Sequence, residues 1–371
     1  MSHTIEDLKR LQSMSLEEKI QASTARIIEW YENWGGQVYI SNSGGVDSTV
    51  LSDLVHRVYP EVPDVYCDTG LEYPELRNFI MSKPNVVVLK PGIYNRHTRK
   101  YDPISFIQVI QKYGYPLISK EVSLKVKECR DTPNGYAAKA FDPNSEYCKK
   151  YPQHCIDKYK FLIEADFYIG EKCCDAMKKR PFKHYEKQTN CHPYIGTMTE
   201  ESRLRRTRWL KYGCNAFEEK RAMSTPLAFW SKSDVLEYLI KYNIPYCSVY
   251  GEIKRDKKGK YYTTGCNRTG CVFCGYGCHL EKEPNKFQQL AISHPQLYDF
   301  CMRGGKYDEN GMWQPDKGLG MAKVLDFINV KWWNDGDETK RDEYRAKYKE
   351  KEEVNANRQN LGNAEQVDIQ H

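Results

Sequence analysis

The chain has 371 residues, 40% of them hydrophobic and 29% charged, and its 56 basic and 50 acidic residues leave a net charge of +6. That length can bury a sizeable core in one large or two ordinary domains, and the near balance of charge gives no general argument for a nucleic-acid partner. The first residues are charged and lack an apolar core, and no run of about 18 apolar residues occurs, so the expectation is a soluble cytoplasmic protein with no secretory leader and no membrane partner.

Residues 4–34 read as two helices, the second opened by a capping box of Ser15 and Glu18. QVYISN is expected as a strand, STVLSDLVHRVY as a helix, VPDVYCDTG as a second strand, PELRNFIMSK as a helix and NVVVLKPG as a third strand. This alternation predicts an α/β fold with a parallel sheet and helices on both faces. Residues 100–190 are irregular and rich in Lys and Tyr, with helices expected over PISFIQVIQKYG and DKYKFLIEADFYIGEKCCDAMKK. HPYIGTMT reads as a strand, SKSDVLEYLIKYN as a capped helix and KRDKKGKYYTTG as a polar turn between short strands. No internal repeat is present. From about residue 331 the chain is a charged tail, helical at first, with disorder expected over its last 15 or so residues.

The strand-to-helix corner is the first chemical signal. In SNSGGVDST the glycines let backbone amides converge, a helix begins directly after them, and Ser43, Ser48 and Thr49 add hydroxyls. A helix N-terminus approached this way suits phosphate. Asp47 would repel phosphate unless it caps the helix or holds a magnesium ion. No Gly-Lys-Ser/Thr follows, so this is not the lysine-containing phosphate loop.

Fourteen cysteines in a chain expected to be cytosolic call for something other than a disulfide framework. Cys173 and Cys174 are adjacent at an expected helix end. Cys266, Cys271, Cys274 and Cys278 crowd a second segment, and by themselves could form a compact four-thiolate unit. Thiolate-only sites favour zinc or an iron–sulfur cluster, and composition does not choose between them. Cys67, Cys129, Cys148, Cys155, Cys191, Cys214 and Cys247 read as structural. Arg203, Arg205, Arg206 and Arg208 lie close together in a segment that suits an anion. Lys120, in PLISKEV, is a further candidate phosphate contact.

Ser43-Gly44-Gly45-Val46-Asp47-Ser48 resembles the SGGxDS loop of the adenine-nucleotide α-hydrolase (PP-loop) superfamily. Asp68, Thr69, Gly70, Glu72, Pro74 and Glu75 are similar to the second-strand motif of its phosphoadenosine phosphosulfate (PAPS) reductase family. Gly196, Glu201, Ser202 and Arg205 match the family's G-x-R-x-x-E-S-x-x-R motif, in which Met198 replaces the internal Arg. Pro226, Leu227, Trp230, Asp234, Val235, Tyr238 and Leu239 match a further segment, which reads as support for the fold. The resemblance implies a Rossmann-like domain over 35–250, with N-terminal helices over 1–34 and a helical insertion over about 100–190. A Cys-rich segment over 251–330 and the tail over 331–371 follow.

The resemblance further implies an adenine nucleotide held by Ser43, Gly44, Gly45, Val46, Asp47, Ser48, Asp68, Thr69, Gly70, Glu72, Gly196, Arg203 and Arg205. It makes Asp47 and Ser48 catalytic, and Cys173, Cys174, Cys271 and Cys274 the ligands of a four-iron cluster, with Cys266 and Cys278 as rival ligands and zinc as the alternative. The family's reductive nucleophile is a Cys in a C-terminal motif. Cys301 does not match that motif but is the candidate nearest to it. Two enzymatic reactions stay open: a sulfonucleotide reductase served by a thioredoxin-like reductant, or an ATP pyrophosphatase-type sulfurtransferase that uses Mg2+ and modifies tRNA or DNA. A non-catalytic nucleotide sensor is the third reading, and a homo-oligomer is compatible with each.

Overall fold

The computed structural model describes residues 3–95, 97–98 and 100–368, with side chains described as far as residue 357, that of Lys100 excepted. The chain forms two compact units, one of residues 1–91 and 178–270, the other of residues 92–177 and 271–371. These limits differ from the expected domains. The N-terminal helices join the unit that holds residues 35–91, and the Lys/Tyr-rich insertion shares a unit with the segment after Cys271 and the charged tail.

In the first unit, α1 (Ile5–Gln12) and α2 (Leu16–Asn33) both start with capping boxes, Thr4 with Asp7 and Ser15 with Glu18. Then come β1 (Val38–Ser41), α3 (Val46–His56), β2 (Asp64–Cys67), α4 (Pro74–Met81) and β3 (Val86–Leu89). The strand His192–Ile195 runs parallel to β1, pairing Val38 with His192 and Ser41 with Ile195. On the other side β1 and β2 pair in parallel, Ile40 with Asp64, and β2 and β3 likewise, Asp64 with Val86. Two short strands, Met223–Ser224 and Asn215–Ala216, complete a six-stranded sheet in which only that last pair is antiparallel. β1 and β2 are central and buried, which is why VYI and DVYC read as continuous rather than alternating runs. Ile27, Trp30, Tyr39, Ile40, Val50, Leu51 and Val65 are fully buried and form the core between sheet and helices.

α2 is tied to the helix Lys232–Lys241 by a buried ion pair, Lys19 to Asp234 at 2.7 Å. The same Asp234 closes that helix's capping box with Ser231. The expected polar turn is a hairpin of Ile253–Arg255 and Tyr261–Thr263.

The second unit departs further from expectation. The helix expected over 157–179 is broken. Residues Asp157–Glu164 are 3-10 wound, and Asp175–Lys179 are π-wound. Arg130 gives the reason. Its guanidinium donates to the carbonyls of Leu162, Ile163, Ala165 and Phe167 at 2.7–3.0 Å, and so takes acceptors that a continuing α-helix would need. Cys173 and Cys174 therefore begin a helical segment instead of ending one. Cys148 and Cys155, both read as structural, are joined in a disulfide. The tail backbone is helical over Glu338–Asp368. The part of the expected disorder that falls on residues 369–371 lies outside the described residues. No described helix is long and apolar enough to cross a membrane.

Candidate functional site

The β1–α3 corner is shaped by backbone geometry. Gly44 has φ +75°, and a Cβ there would meet the Leu76 carbonyl oxygen at 3.2 Å, so the turn requires glycine. Beneath it, buried Asn42 receives the Gly44 amide on Oδ1 at 2.9 Å and donates through Nδ2 to Asp64 at 3.0 Å. Ser52, one turn into α3, donates to the other Asp64 oxygen at 2.9 Å. A buried carboxylate satisfied from two sides thus fixes the loop to β2 and α3.

Gly45 is the N-cap of α3 and supplies no side-chain cap. The Ser48 hydroxyl accepts from the Ser43 amide at 3.2 Å and donates to the Gly45 carbonyl at 2.9 Å. The Val46 amide donates to the Tyr250 hydroxyl at 3.3 Å, which also bonds Thr269 at 2.7 Å. Burial pushes the Tyr250 phenol up to about 12, so it is a neutral donor and acceptor near pH 7. Asp47 does not cap the helix. It stands in the first turn of α3 and pairs with Lys232 at 3.2 Å. Gly196 packs against this turn, where a Cβ would meet the Asp47 carbonyl oxygen at 3.0 Å.

An open cavity of about 350 Å3 lies in front of Asp47, lined by Met198, Glu200, Glu201, Lys232, Asn267 and Arg268. Glu201 receives the Met198 amide at 2.9 Å and is paired with both Arg205 and Arg268. Burial and the neighbouring Arg268 pull the Arg205 guanidinium down, and Asp47 opposes them. Arg203 and Arg206 are exposed on the helix Arg203–Tyr212, and Arg208 is taken by Glu219 at 2.9 Å.

The loop after β2 is self-braced. Asp68 is gripped by both arms of Arg77 at 2.9–3.0 Å. The Thr69 hydroxyl donates to Glu72 at 2.7 Å, Gly70 has φ +69°, and Lys178 lies 3.6 Å from Glu72.

The cysteines divide between the units. In the first unit the Cys266 thiol is raised by burial and senses Tyr73 and Glu75, and Cys247 senses Cys266. In the second unit Tyr276 lies within electrostatic reach of three of the expected ligands. Its phenol is pushed far up, first by burial and then by Cys174, Cys173 and Cys274. Cys271 is one turn away, its carbonyl receiving the Cys274 amide at 3.1 Å. Cys278 is buried, donates to the Gly275 carbonyl at 3.1 Å and is pushed up to about 11. Among the described residues no group of three or more His, Cys, Asp or Glu side chains is arranged to hold a metal ion.

Cys301 is fully buried, and burial drives its thiol far above the ordinary range in spite of Lys286. That is the environment of a packed thiol rather than of an activated thiolate. Lys120 is exposed at the start of the helix Lys120–Asp131, in the second unit.

Lys232, Arg268, Tyr250 and Thr269 were not anticipated. Lys232 lies in the segment read as fold support, and Arg268 and Thr269 lie between Cys266 and Cys271. No spacing rule singles them out, because the fold alone brings them to the corner.

A parallel α/β sheet with a glycine corner at the C-terminal end of a central strand is the Rossmann-like arrangement. The model of the phosphoadenosine phosphosulfate reductase domain matches residues 37–102 and 108–275, and the chain belongs to that family. It is 23% identical over 342 residues to an uncharacterised protein of Methanocaldococcus jannaschii, covering 87% of this chain and 64% of that protein. It is 25% identical over 225 residues to an adenosine 5'-phosphosulfate reductase of Geobacillus kaustophilus, covering 59% and 70% of the two chains. It is 30% identical to an Escherichia coli phosphoadenosine 5'-phosphosulfate reductase over 77 residues only, 21% and 31% of the two. Among solved structures, a phosphoadenylyl-sulfate reductase of Candida auris in complex with phosphate aligns at 15% identity and a TM-score of 0.34, over 70% of this chain and 98% of that one.

Proposed function

We propose that this protein is an enzyme of sulfur metabolism that binds an adenine nucleotide, adenylyl sulfate or ATP, with its phosphates at the β1–α3 corner. The observation that carries this reading is the corner itself, with left-handed Gly44 locked on Asn42 at the start of a helix inside the stretch matched by the family model. A phosphate oxygen entering there exchanges with weak internal bonds. It takes the Ser43 amide and the Ser43 and Ser48 hydroxyls, which now face one another at 3.4 Å. The Val46 amide follows if the Tyr250 hydroxyl turns to Thr269 alone. Lys232 and Arg268 line the adjoining cavity and supply positive charge, and Lys232 also neutralises Asp47. With ATP, the Asp47 carboxylate would instead hold the magnesium ion. The Glu72 brace keeps the β2 loop in place beside the nucleotide.

Cys173, Cys174, Cys271 and Cys274 are the ligands we infer for an iron–sulfur cluster. Four thiols in one unit, three of them acting on Tyr276, fit that donor chemistry in kind and number. Such a cluster supplies redox and charge-stabilising chemistry when bound. The burial of Cys301 favours a second reading of the reaction, in which the enzyme adenylylates an acceptor and releases pyrophosphate without a thiol nucleophile.

Anaerobically purified protein given adenylyl sulfate, its 3'-phospho form and Mg–ATP in turn distinguishes the two. Sulfite from a sulfated nucleotide supports the reductase reading, and pyrophosphate from ATP supports the adenylylating one. Absence of both products, with no nucleotide bound, overturns the assignment.

A further inference from the structure

The second unit carries a surface that the nucleotide site does not use. Tyr136, Tyr147, Tyr151 and His154 form a chain of rings whose successive centroids lie 5.5, 5.6 and 6.5 Å apart. Two of these rings face solvent, Tyr136 at 63% and Tyr151 at 38% exposure. Lysines accompany them. Lys125 and Lys139 approach the Tyr136 ring at 5.6 and 5.7 Å, and Lys150 approaches Tyr151 at 5.4 Å.

Lys139, Lys149 and Lys150 are exposed and form no ion pair with a described residue. The acidic groups nearby are mostly engaged. Glu128 holds Lys125 at 3.5 Å, Glu121 lies 3.2 Å from His154, and Asp142 receives the Asn144 amide at 2.9 Å. Glu146 remains exposed. The Cys148–Cys155 disulfide closes the short loop that presents Lys149, Lys150, Tyr151 and His154.

We infer that this face binds single-stranded nucleic acid, with bases stacked on Tyr136 and Tyr151 and phosphates on Lys139, Lys149 and Lys150. Lysines alone would serve a duplex equally well, since a duplex presents only its backbone to them. Exposed rings gain from a partner whose bases are free to stack, which is a single strand. An acidic polypeptide would satisfy the lysines but leave the rings uncovered. The inference does not depend on the nucleotide chemistry of the first unit.

The test is fluorescence anisotropy of the full chain with labelled oligo-dT and oligo-U of about 15 nucleotides, and with a duplex of the same length. Tighter binding of the single strands than of the duplex is expected. Tyr136→Ala and Tyr151→Ala should each weaken single-strand binding by about 5- to 100-fold, the scale of one lost base stack. Tyr136→Phe should keep it. The pair Lys149→Glu and Lys150→Glu should flatten the slope of log affinity against log salt by about 1.4, for two phosphate contacts. These side chains are exposed, so an unchanged melting temperature certifies the fold, and the lysine pair tests the surface even if a tyrosine variant fails to fold. No binding at low salt, equal affinity for the duplex, competition by polyglutamate as effective as by oligonucleotide, or wild-type affinity in the alanine variants would each overturn the inference.

Discussion

At the β1–α3 corner the amides of Ser43, Gly44 and Val46 are each taken by a side chain of the same unit, and a buried carboxylate underneath is satisfied twice over. Around Tyr276 the thiols are brought near one phenol by short elements, including a two-residue strand pairing of Tyr276 with Ile118, without closing on a metal among the described residues. The corner has a fixed shape, and on the reading proposed above a phosphate would find that shape already made and exchange with its internal bonds. On the reading proposed above, the thiols would take their final geometry only with the cluster, as expected where metal binding and local folding are coupled. The two should therefore respond differently to perturbation.

The largest effect is expected on the thiol side. Cys173→Ser, Cys174→Ser, Cys271→Ser and Cys274→Ser should each abolish bound iron and its visible absorbance in anaerobically prepared protein. Cys266→Ser, Cys278→Ser and Cys301→Ser should keep both. Iron retained in Cys173→Ser and Cys174→Ser but lost in Cys266→Ser and Cys278→Ser, as in Cys271→Ser and Cys274→Ser, would transfer the site to the compact set.

The corner should fail through shape. Gly44→Ala forces a Cβ into the left-handed region and against Leu76, at about 1–2 kcal/mol for the backbone alone. Loss of nucleotide affinity by more than about 10-fold, beyond what that melting shift explains, is expected from calorimetric titration. Asn42→Ala leaves the Gly44 amide and half of Asp64 without a partner, and should lower stability by about 1–3 kcal/mol in urea unfolding. Lys232→Ala should barely move stability, since the pair is partly exposed, but should raise the nucleotide dissociation constant several-fold.

The smallest effect concerns pH. His192 stacks on Trp34 in the strand beside β1, and burial holds its imidazole below the usual histidine value. The unfolded chain then binds the proton more readily than the folded one. Stability is full above the unfolded value near 6.5 and falls as pH drops below it. His192→Phe should flatten that part of the melting-temperature profile.

Much of the first unit was legible because its signals are local. The strand runs, the Ser15–Glu18 box and the glycine corner each depend on a few consecutive residues. Lys232 and Arg268 were illegible because each reaches the corner only through the folded sheet, from Lys232–Lys241 and from the cysteine segment. The breaking of the helix at 157–179 was hidden for a related reason. Its cause is Arg130, some thirty residues upstream, whose guanidinium takes four carbonyls that no helical pattern reveals. The Cys148–Cys155 bond is not legible from spacing, because only the fold of the loop between them brings the two thiols together.

The most direct test of the central claim is calorimetric titration of the anaerobic protein with adenylyl sulfate and with Mg–ATP, repeated on Gly44→Ala. Saturable binding of one of them, lost in the variant while the sheet stays folded by circular dichroism, is the predicted result. Binding that survives Gly44→Ala unchanged would place the nucleotide elsewhere and contradict the account.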